Sequence, residues 1–297
     1  MAKNGWHALS IGVGKVGTMS LLKGARLDAR RFADWAGKNG YKPHLITDEA
    51  GKTVTYDVLK RVVDRILKGE VERLVIFFSG HGTALPQGDF WLMSDSEDSY
   101  IAINVAASER AARCHPIQQV SFIADACRSP VKWVAKLQER SLIDYPNDED
   151  PRGPRIDSFF ATRPGSVAQE VRHEEAAKTY GIFGRCVLQA INGGSMGAFH
   201  RGRQPPVVSS QSLALWLEDV VPRESGKVPG GVVQWPDARP GWFEPHDWYY
   251  AGGLPKRRDR PPHRAESAPA DMEAPSDAGG TTGAATRQLA GEARKRV

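Results

Sequence analysis

The chain has 297 residues, 40% of them hydrophobic and 25% charged, a balance typical of a folded globular protein. No apolar run approaches the roughly 20 residues that a membrane-spanning helix requires. The net charge is +5, but the residues from Lys256 onward hold nine Lys/Arg and six Asp/Glu and so carry +3 of it. The remainder lacks the concentrated basic stripe of a nucleic-acid-binding protein. We therefore expect neither a membrane nor a nucleic-acid partner.

Cysteine usage and the N-terminus indicate a cytoplasmic protein. Cys114, Cys127 and Cys186 lie far apart with no CxxC spacing, and a disulfide framework would want an even number in a short secreted chain. The apolar stretch at residues 8–13 is too short and too interrupted by glycine to be a signal-peptide core. We expect Cys114 and Cys186 to be ordinary structural residues.

Strand-like and helix-like patterns alternate along residues 7–200. Short apolar runs predict strands at residues 7–13, 42–47, 73–78, 120–124 and 158–161. Helical periodicity predicts helices at residues 24–38, 58–67, 105–114, 182–191 and 212–221, the second beginning at a cap on Thr53 or Thr55. This alternation predicts an α/β fold around a mostly parallel sheet.

Composition also divides the chain. Residues 1–200 form the predicted main domain, and residues 201–254 form an extension, mostly Gly/Pro/Trp-rich coil, packed on it. Residues 144–155 are charged and proline-rich, which predicts a loop. Residues 255–297 have few large apolar side chains and should be disordered.

Two predicted strands run into small-residue turns that each present one reactive side chain. Residues 74–82 read Leu-Val-Ile-Phe-Phe-Ser-Gly-His-Gly, and residues 120–129 read Val-Ser-Phe-Ile-Ala-Asp-Ala-Cys-Arg-Ser. If the two strands are neighbours, His81 and Cys127 emerge side by side at the edge where parallel sheets bind ligands. An imidazole beside a thiol can take its proton, which creates a nucleophile. The backbone N–H groups of Gly82 and Cys127 could then stabilise an oxyanion.

Ser-Gly-His-Gly and Asp-Ala-Cys-Arg-Ser, each after a hydrophobic strand, resemble the caspase/metacaspase clan of cysteine peptidases. The histidine precedes the cysteine by 46 residues, close to the ~50 of caspases. Further matching pieces lie at residues 8–13, 22–29, 158–170 and 180–183. The resemblance implies a caspase-like three-layer sandwich with a mostly parallel six-stranded sheet. It also implies a Cys127 nucleophile, a His81 general base and acid, an oxyanion hole of Gly82 and Cys127, and no organic cofactor.

The nucleophile turn departs from the usual metacaspase pattern Asp-Ser-Cys-His-Ser-Gly. This chain has Ala126, Arg128 and Pro130 at three of those positions. None of these changes removes a catalytic group, but Pro130 should reshape the turn.

The resemblance further implies cleavage after Arg or Lys. Caspases that cut after Asp use an arginine in the loop entering the first helix and a glutamine two residues before the cysteine, where this chain has Leu22 and Asp125. Metacaspases place an aspartate at each location, and Asp28 and Asp125 match both, with Ser79 nearby. Two carboxylates suit a guanidinium. The alternative for Asp28 is that it caps its helix.

The loop at residues 144–155 lies where this clan has its activation linker, and it offers Arg152 and Arg155 as self-cleavage sites. A charged loop that is never cut is the alternative. Calcium activates some metacaspases, and Asp148-Glu149-Asp150 would be the candidate ligands, although adjacent loop acids are more often solvated charge.

Three other functions compete with an endopeptidase. A non-catalytic caspase-like adaptor would use the fold for assembly, and a Cys-His acyl hydrolase would act on a small amide. Gly12-Val-Gly-Lys-Val-Gly17 fits a dinucleotide-binding GxGxxG, but Asp48 lies 31 residues past Gly17 instead of the ≈ 20 that such a site prefers. As an enzyme, the chain would act on protein or peptide substrates and could have a regulatory protein partner.

Overall fold

The fold alternates strands and helices in the computed structural model, which describes residues 3–146, 155–171, 179–202, 205–241 and 248–251. The strands are β1 (Trp6–Gly12), β2 (Lys42–Thr47), β3 (Arg73–Gly80), β4 (Gly82–Leu85), β5 (Gly88–Leu92), β6 (Ile101–Asn104), β7 (Gln119–Ala126), β8 (Gln138–Arg140), β9 (Arg155–Phe160), β10 (Glu170–Val171), β11 (Tyr180–Gly181), β12 (Val207–Ser209), β13 (Asp237–Arg239) and β14 (Trp248–Ala251). The helices are α1 (Lys23–Lys38), α2 (Tyr56–Leu67), α3 (Ser96–Ser99), α4 (Val105–Ala112), α5 (Ile182–Ile191) and α6 (Ser210–Ser225).

The central sheet has six strands in the order β13-β9-β7-β3-β1-β2. Its first five strands in the chain, β1, β2, β3, β7 and β9, pair in parallel, and β13 pairs antiparallel with β9. The predicted six-stranded, mostly parallel sheet is confirmed. Helix α2 begins where the sequence indicates, since the Thr55 hydroxyl accepts a hydrogen bond from the Val58 amide.

Helices cover both faces of this sheet, which gives three layers. Along β3, Leu74, Ile76 and Phe78 join a core with α2 and α4, while Val75 and Phe77 join a second core with α1, α5 and α6. Because successive side chains of a strand point to opposite faces, a strand that is apolar throughout belongs between two helical layers.

A second, four-stranded sheet in the order β4-β5-β6-β8 was not predicted. Its strands have three to five residues, and β8 is exposed at all three positions, so they leave little periodic signal. This sheet packs against the core on the α2 side through Phe90, Trp91 and Ile103. Two short ribbons, β10-β11 and β12-β14, complete the described strands.

The chain after residue 204 builds on the same core. Leu213, Leu217 and Val220 of α6 pack with the apolar residues of α1 and α5. Buried Asp157 of β9 accepts hydrogen bonds from the Tyr249 hydroxyl at 2.7 Å and from the Gly241 amide at 2.7 Å. None of the helices in the described ranges is long and apolar enough to cross a membrane. The predicted disordered tail, residues 255–297, lies outside the described residues.

Candidate active site

The central sheet brings the two predicted catalytic residues together. Gly80, the last residue of β3, pairs in parallel register with Ala126, the last residue of β7. His81 and Cys127 therefore follow at the same level of neighbouring strands, whose backbones lie about 4.8 Å apart. They lie at the carboxyl edge of the sheet, where α/β proteins place their ligand sites.

His81 is buried, and one of its nitrogens is committed to the backbone. Its Nε2 atom lies 2.8 Å from the carbonyl oxygen of Ser20. A carbonyl only accepts hydrogen bonds, so Nε2 carries the proton and Nδ1 of the neutral ring keeps a free lone pair. Burial lowers the pKa of His81 below its usual 6.5, and Lys15 adds to this effect while the bond to Ser20 opposes it. The ring is thus a neutral base at pH 7.

Carboxylate contacts hold the loop that carries Ser20. The Asp48 carboxylate accepts hydrogen bonds from the amides of Gly14 at 3.0 Å and Lys15 at 2.8 Å, and it pairs with Arg26. These amides would be needed by a bound pyrophosphate, yet an acid of the chain already occupies them. The glycine-rich segment therefore does not offer the amides of Gly14 and Lys15 to a dinucleotide.

Cys127 is half-buried beneath a neighbouring loop. Its Sγ atom lies 3.3 Å from the amide nitrogen of Ala168 and 3.6 Å from the carbonyl oxygen of the same residue. Burial raises the pKa of the Cys127 thiol above 9.0, and the nearby Asp125 raises it further, while the Ala168 amide opposes both. His81 and Cys127 share no hydrogen bond in this structure. The resting pair is a neutral thiol beside a neutral imidazole.

Two backbone amides near the sulfur are available as hydrogen-bond donors. Leu92 donates to the carbonyl of His81 across β4 and β5, so the next pair, Gly82 and Trp91, is a non-hydrogen-bonded one. The Gly82 amide therefore points away from β5, and a Cβ on Gly82 would lie 2.7 Å from the Cys127 carbonyl oxygen. The Cys127 amide also has no hydrogen-bond partner among the described residues.

A small acidic cavity of about 40 Å³ opens beside the sulfur. Its walls include Ser79, Asp125, Cys127, Glu170 and Gly181. A space of this size holds about one water molecule. The predicted substrate-binding residues Ser79 and Asp125 thus line one cavity with the nucleophile, but the cavity must enlarge before it can accept a long side chain.

Asp125 is buried between glycines. Its Oδ2 atom accepts a hydrogen bond from the Gly184 amide at 2.7 Å, and a Cβ on Gly181 would lie 2.1 Å from the same oxygen. Burial raises the pKa of Asp125 to about 8, with a further rise from the charges of Asp28 and Glu170. An aspartate of this kind is protonated at pH 7 and is ready to ionise when a cation arrives.

Asp28 lies behind this cavity, on α1. It accepts hydrogen bonds from the Gly181 amide at 2.7 Å and from Arg31 Nη1 at 2.8 Å. Burial raises its pKa to about 6 although both donors oppose the rise. The alternative that Asp28 caps its helix is wrong, because the N-cap of α1 is Leu22 and no side chain caps it.

Several site residues were not predicted from the sequence. Glu170 is the second acidic residue that lines the cavity, and one of its oxygens accepts a hydrogen bond from the Gly24 amide at 2.5 Å. Ser20 and Ala168 act through backbone atoms, which no residue pattern reveals. Glu170 could have been found, since it ends a segment that resembles the caspase clan. Like Asp28 and Asp125, it is an acidic residue that would suit a pocket for a basic side chain.

The predicted self-cleavage loop is shorter than residues 144–155. Arg155 is the first residue of β9, where its amide donates to the Gln118 carbonyl, and the next residue, Ile156, is buried. Cleavage after Arg155 would thus require the start of a central strand to leave the sheet. Arg152 and the calcium candidates Asp148-Glu149-Asp150 lie outside the described residues. Within the described residues, no three His, Cys, Asp or Glu side chains cluster closely enough to hold a metal ion.

Comparison with known proteins agrees with the fold. Residues 6–203 match the family model described as caspase domain. The chain belongs to the caspase family. Caspase-1 from Spodoptera frugiperda has a similar fold, with a TM-score of 0.53 at 11% identity over 81% of this chain and 88% of that one. A protein from Geobacter sulfurreducens aligns with a TM-score of 0.52 at 14% identity over 83% and 97% of the two chains. A search of curated protein sequences finds no match.

Membership in the caspase family confirms the resemblance on which the fold was predicted, and it gives the chain the fold of a cysteine peptidase. The similar structures are both far below 25% identity, so they show a shared fold and nothing about substrate. The chemistry must be argued from the side chains of this chain.

Proposed function

We propose that this caspase-family protein is a cysteine endopeptidase that cleaves peptide bonds after Arg or Lys. The proposal rests on the positions of His81 and Cys127, which follow paired residues at the ends of β3 and β7. Beside them, the amides of Gly82 and Cys127 are available as hydrogen-bond donors. A base, a nucleophile and two oxyanion donors are the groups that acyl transfer requires.

Acylation begins with both groups neutral. As Cys127 Sγ attacks the substrate carbonyl carbon, Nδ1 of His81 takes the thiol proton, and the carbonyl oxygen becomes an oxyanion. The amides of Gly82 and Cys127 donate hydrogen bonds to that oxyanion. The C–N bond then breaks, the His81 imidazolium gives its proton to the leaving amine, and a thioester on Cys127 remains.

Deacylation repeats the sequence with water. His81 removes a proton from a water molecule, whose oxygen attacks the thioester carbon. When the C–S bond breaks, the proton returns from His81 to the sulfur, and the carboxylic acid product leaves. The Ser20 carbonyl holds the histidine ring in one tautomer through both halves of the reaction.

The preference for a basic residue rests on three carboxyl groups. Asp125 and Glu170 line the cavity beside Cys127, and Asp28 lies behind Asp125, with Ser79 as a neutral hydrogen-bonding wall. A guanidinium or ammonium entering this space would ionise Asp125, and the resulting ion pair would be poorly screened by solvent.

The small resting cavity is the observation that favours a non-catalytic adaptor, and a covalent probe distinguishes the alternatives. We expect a peptidyl chloromethyl ketone ending in arginine to alkylate Cys127, as located by peptide mass spectrometry, and a matching ketone ending in aspartate to leave it unlabelled. No labelling by any peptide ketone would support the adaptor. Labelling by small acyl electrophiles alone would support a small-amide hydrolase.

Activity on an arginine substrate should rise with pH in two steps. Protonation of His81 removes the base, so kcat/KM is lost as the pH falls below 6.5. The second step lies near pH 8, because Asp125 is neutral below its pKa of about 8 and binds a cation better once ionised. Initial rates from pH 5 to 9 should show KM falling between pH 7 and 9. A substrate with a neutral residue before the cut should lack this second step.

Self-processing follows from the same specificity. We expect cleavage after Arg152 in preference to Arg155, whose peptide bond lies inside β9. Incubation of the active protein beside Cys127→Ala, with sequencing of new N-termini, should give Gly153 only in the active sample. An intact chain under full peptidase activity would contradict self-processing and would leave the uncut loop as the correct alternative.

A further inference from the structure

Arg128 directly follows the nucleophile, and groups from three parts of the chain hold its buried guanidinium. Its Nε and Nη2 atoms bind both carboxylate oxygens of Asp89 at 2.5 and 2.9 Å. Its Nη1 atom binds Asp237 at 2.7 Å and the carbonyl of Thr162 at 2.8 Å. The guanidinium also lies 4.7 Å from the ring centroid of Phe160. The side chain is only 5% exposed, so these contacts are poorly screened by water.

The main chain of Arg128 is fixed as firmly as its side chain. Its amide donates to the Ser166 carbonyl at 2.8 Å, and its carbonyl accepts from the Gly165 amide at 2.9 Å. These bonds fasten the segment 162–168, whose last residue, Ala168, contacts the sulfur of Cys127. A shift of Arg128 would therefore move the nucleophile and the backbone that packs on it.

Asp237 is the most distant of these partners in sequence. It lies on β13, outside the 6–203 range that matches the caspase domain. Burial alone would raise the pKa of Asp237, but hydrogen bonds from Arg239 and Arg128 outweigh it and lower the pKa. Asp237 is therefore a carboxylate at neutral pH, and it balances a buried cation that Asp89 alone does not fully enclose.

We propose that Asp237 is a positioning residue for Cys127, acting through Arg128. A contact from β13 thereby supports the nucleophile, although this strand lies outside the range that matches the caspase domain. This contact sets the distance and angle between the thiol and His81, and near-attack geometry of this kind is worth large factors in rate. This role of Asp237 rests on the proposed function, and it extends that function to a part of the chain with no catalytic side chain.

The test uses Asp237→Asn in the full-length protein, with two readouts. The first is the rate constant for alkylation of Cys127 by iodoacetamide, measured with and without the additional change His81→Ala. In the parent chain we expect His81→Ala to slow alkylation about tenfold or more, because the base is lost. In the Asp237→Asn background, that effect should shrink to about twofold, because the pair is misaligned. The second readout is kcat, calculated from the concentration of reactive Cys127 in each sample. It should fall about tenfold with KM nearly unchanged.

Two control variants separate positioning from general destabilisation. Asp219→Asn removes an exposed carboxylate paired with Arg223 on α6, and it should behave as the parent does. Arg239→Gln removes the exposed partner of Asp237 and leaves the bond to Arg128, so it should also keep the dependence on His81. If Asp237→Asn does not fold, Asp237→Glu keeps the charge on a longer side chain and should show an intermediate loss of the same dependence.

The proposal is overturned if folded Asp237→Asn, or Asp237→Glu in its place, retains the full effect of His81→Ala on alkylation. Failure of the proposed peptidase looks different. In that case His81→Ala would leave alkylation of the parent chain unchanged, and no variant at position 237 would matter.

Discussion

Replacing Cys127 with alanine should reduce kcat for an arginine peptide by about 10⁴-fold or more, and His81→Ala should have nearly the same effect. The sulfur forms the acyl intermediate and the imidazole moves its proton, so neither group works without the other. The double variant should be little worse than Cys127→Ala alone. Purified variants assayed with a fluorogenic arginine peptide, with circular dichroism to verify folding, provide the measurement.

Cys114→Ala is the matched control for this result. Cys114 is a partly exposed thiol whose Sγ contacts the carbonyl of Arg110, one helical turn earlier. It does not lie at the carboxyl edge of the central sheet. Its removal should leave kcat unchanged. Substantial turnover by Cys127→Ala, free of contaminating protease, would contradict the assignment of the nucleophile.

Asp125→Asn should lower kcat/KM for arginine substrates about 100-fold, because the amide cannot become the counter-ion of a buried cation. Substrates with a neutral residue before the cut should lose far less, so the ratio of the two values reports the ion pair. Asp34→Asn, at an exposed position on the same helix as Asp28, should leave the ratio unchanged. Efficient cleavage after aspartate by the parent chain would refute the acidic pocket.

The same substitution should change how stability depends on pH. The unfolded chain ionises Asp125 near its usual 3.8, while the folded chain holds the proton until about pH 8. Folding therefore takes up a proton between these values, and the free energy of unfolding falls as pH rises, by up to roughly 1.4 kcal/mol per pH unit. Asp125→Asn should remove this pH dependence. In urea denaturation, the free energy of unfolding of Asp125→Asn relative to that of the parent chain should therefore increase from pH 5 to pH 8.

The sequence predicts most of the framework that carries the site. Strands that are apolar at every position, such as Arg73–Gly80 and Gln119–Ala126, have a clear signature because both faces are buried. The turns after these strands indicate His81 and Cys127 as site residues, since glycines and other small residues there present one reactive side chain at each strand end. Parallel pairing of these strands then follows from the alternation with helices.

The remaining features of the fold and the site cannot be predicted from the sequence, for physical reasons. The second sheet consists of short strands whose side chains show little alternation, and backbone contacts from Ser20 and Ala168 leave no residue signature. Arg128 reads as a departure from the metacaspase turn, whereas in three dimensions it is enclosed by carboxylates from Asp89 and Asp237. Ion pairs between residues 109 positions apart cannot be read from spacing.

The most direct measurement is the intact mass of the protein, acid-quenched while it turns over a peptide ester that ends in arginine. Acid stops hydrolysis and preserves a thioester, so the acyl-enzyme should appear as an added mass equal to the acyl part of the substrate. Peptide mapping should place that mass on Cys127, and Cys127→Ala should show none. An adduct on Cys114 or Cys186, or steady turnover by Cys127→Ala equal to that of the parent chain, would contradict catalysis through Cys127.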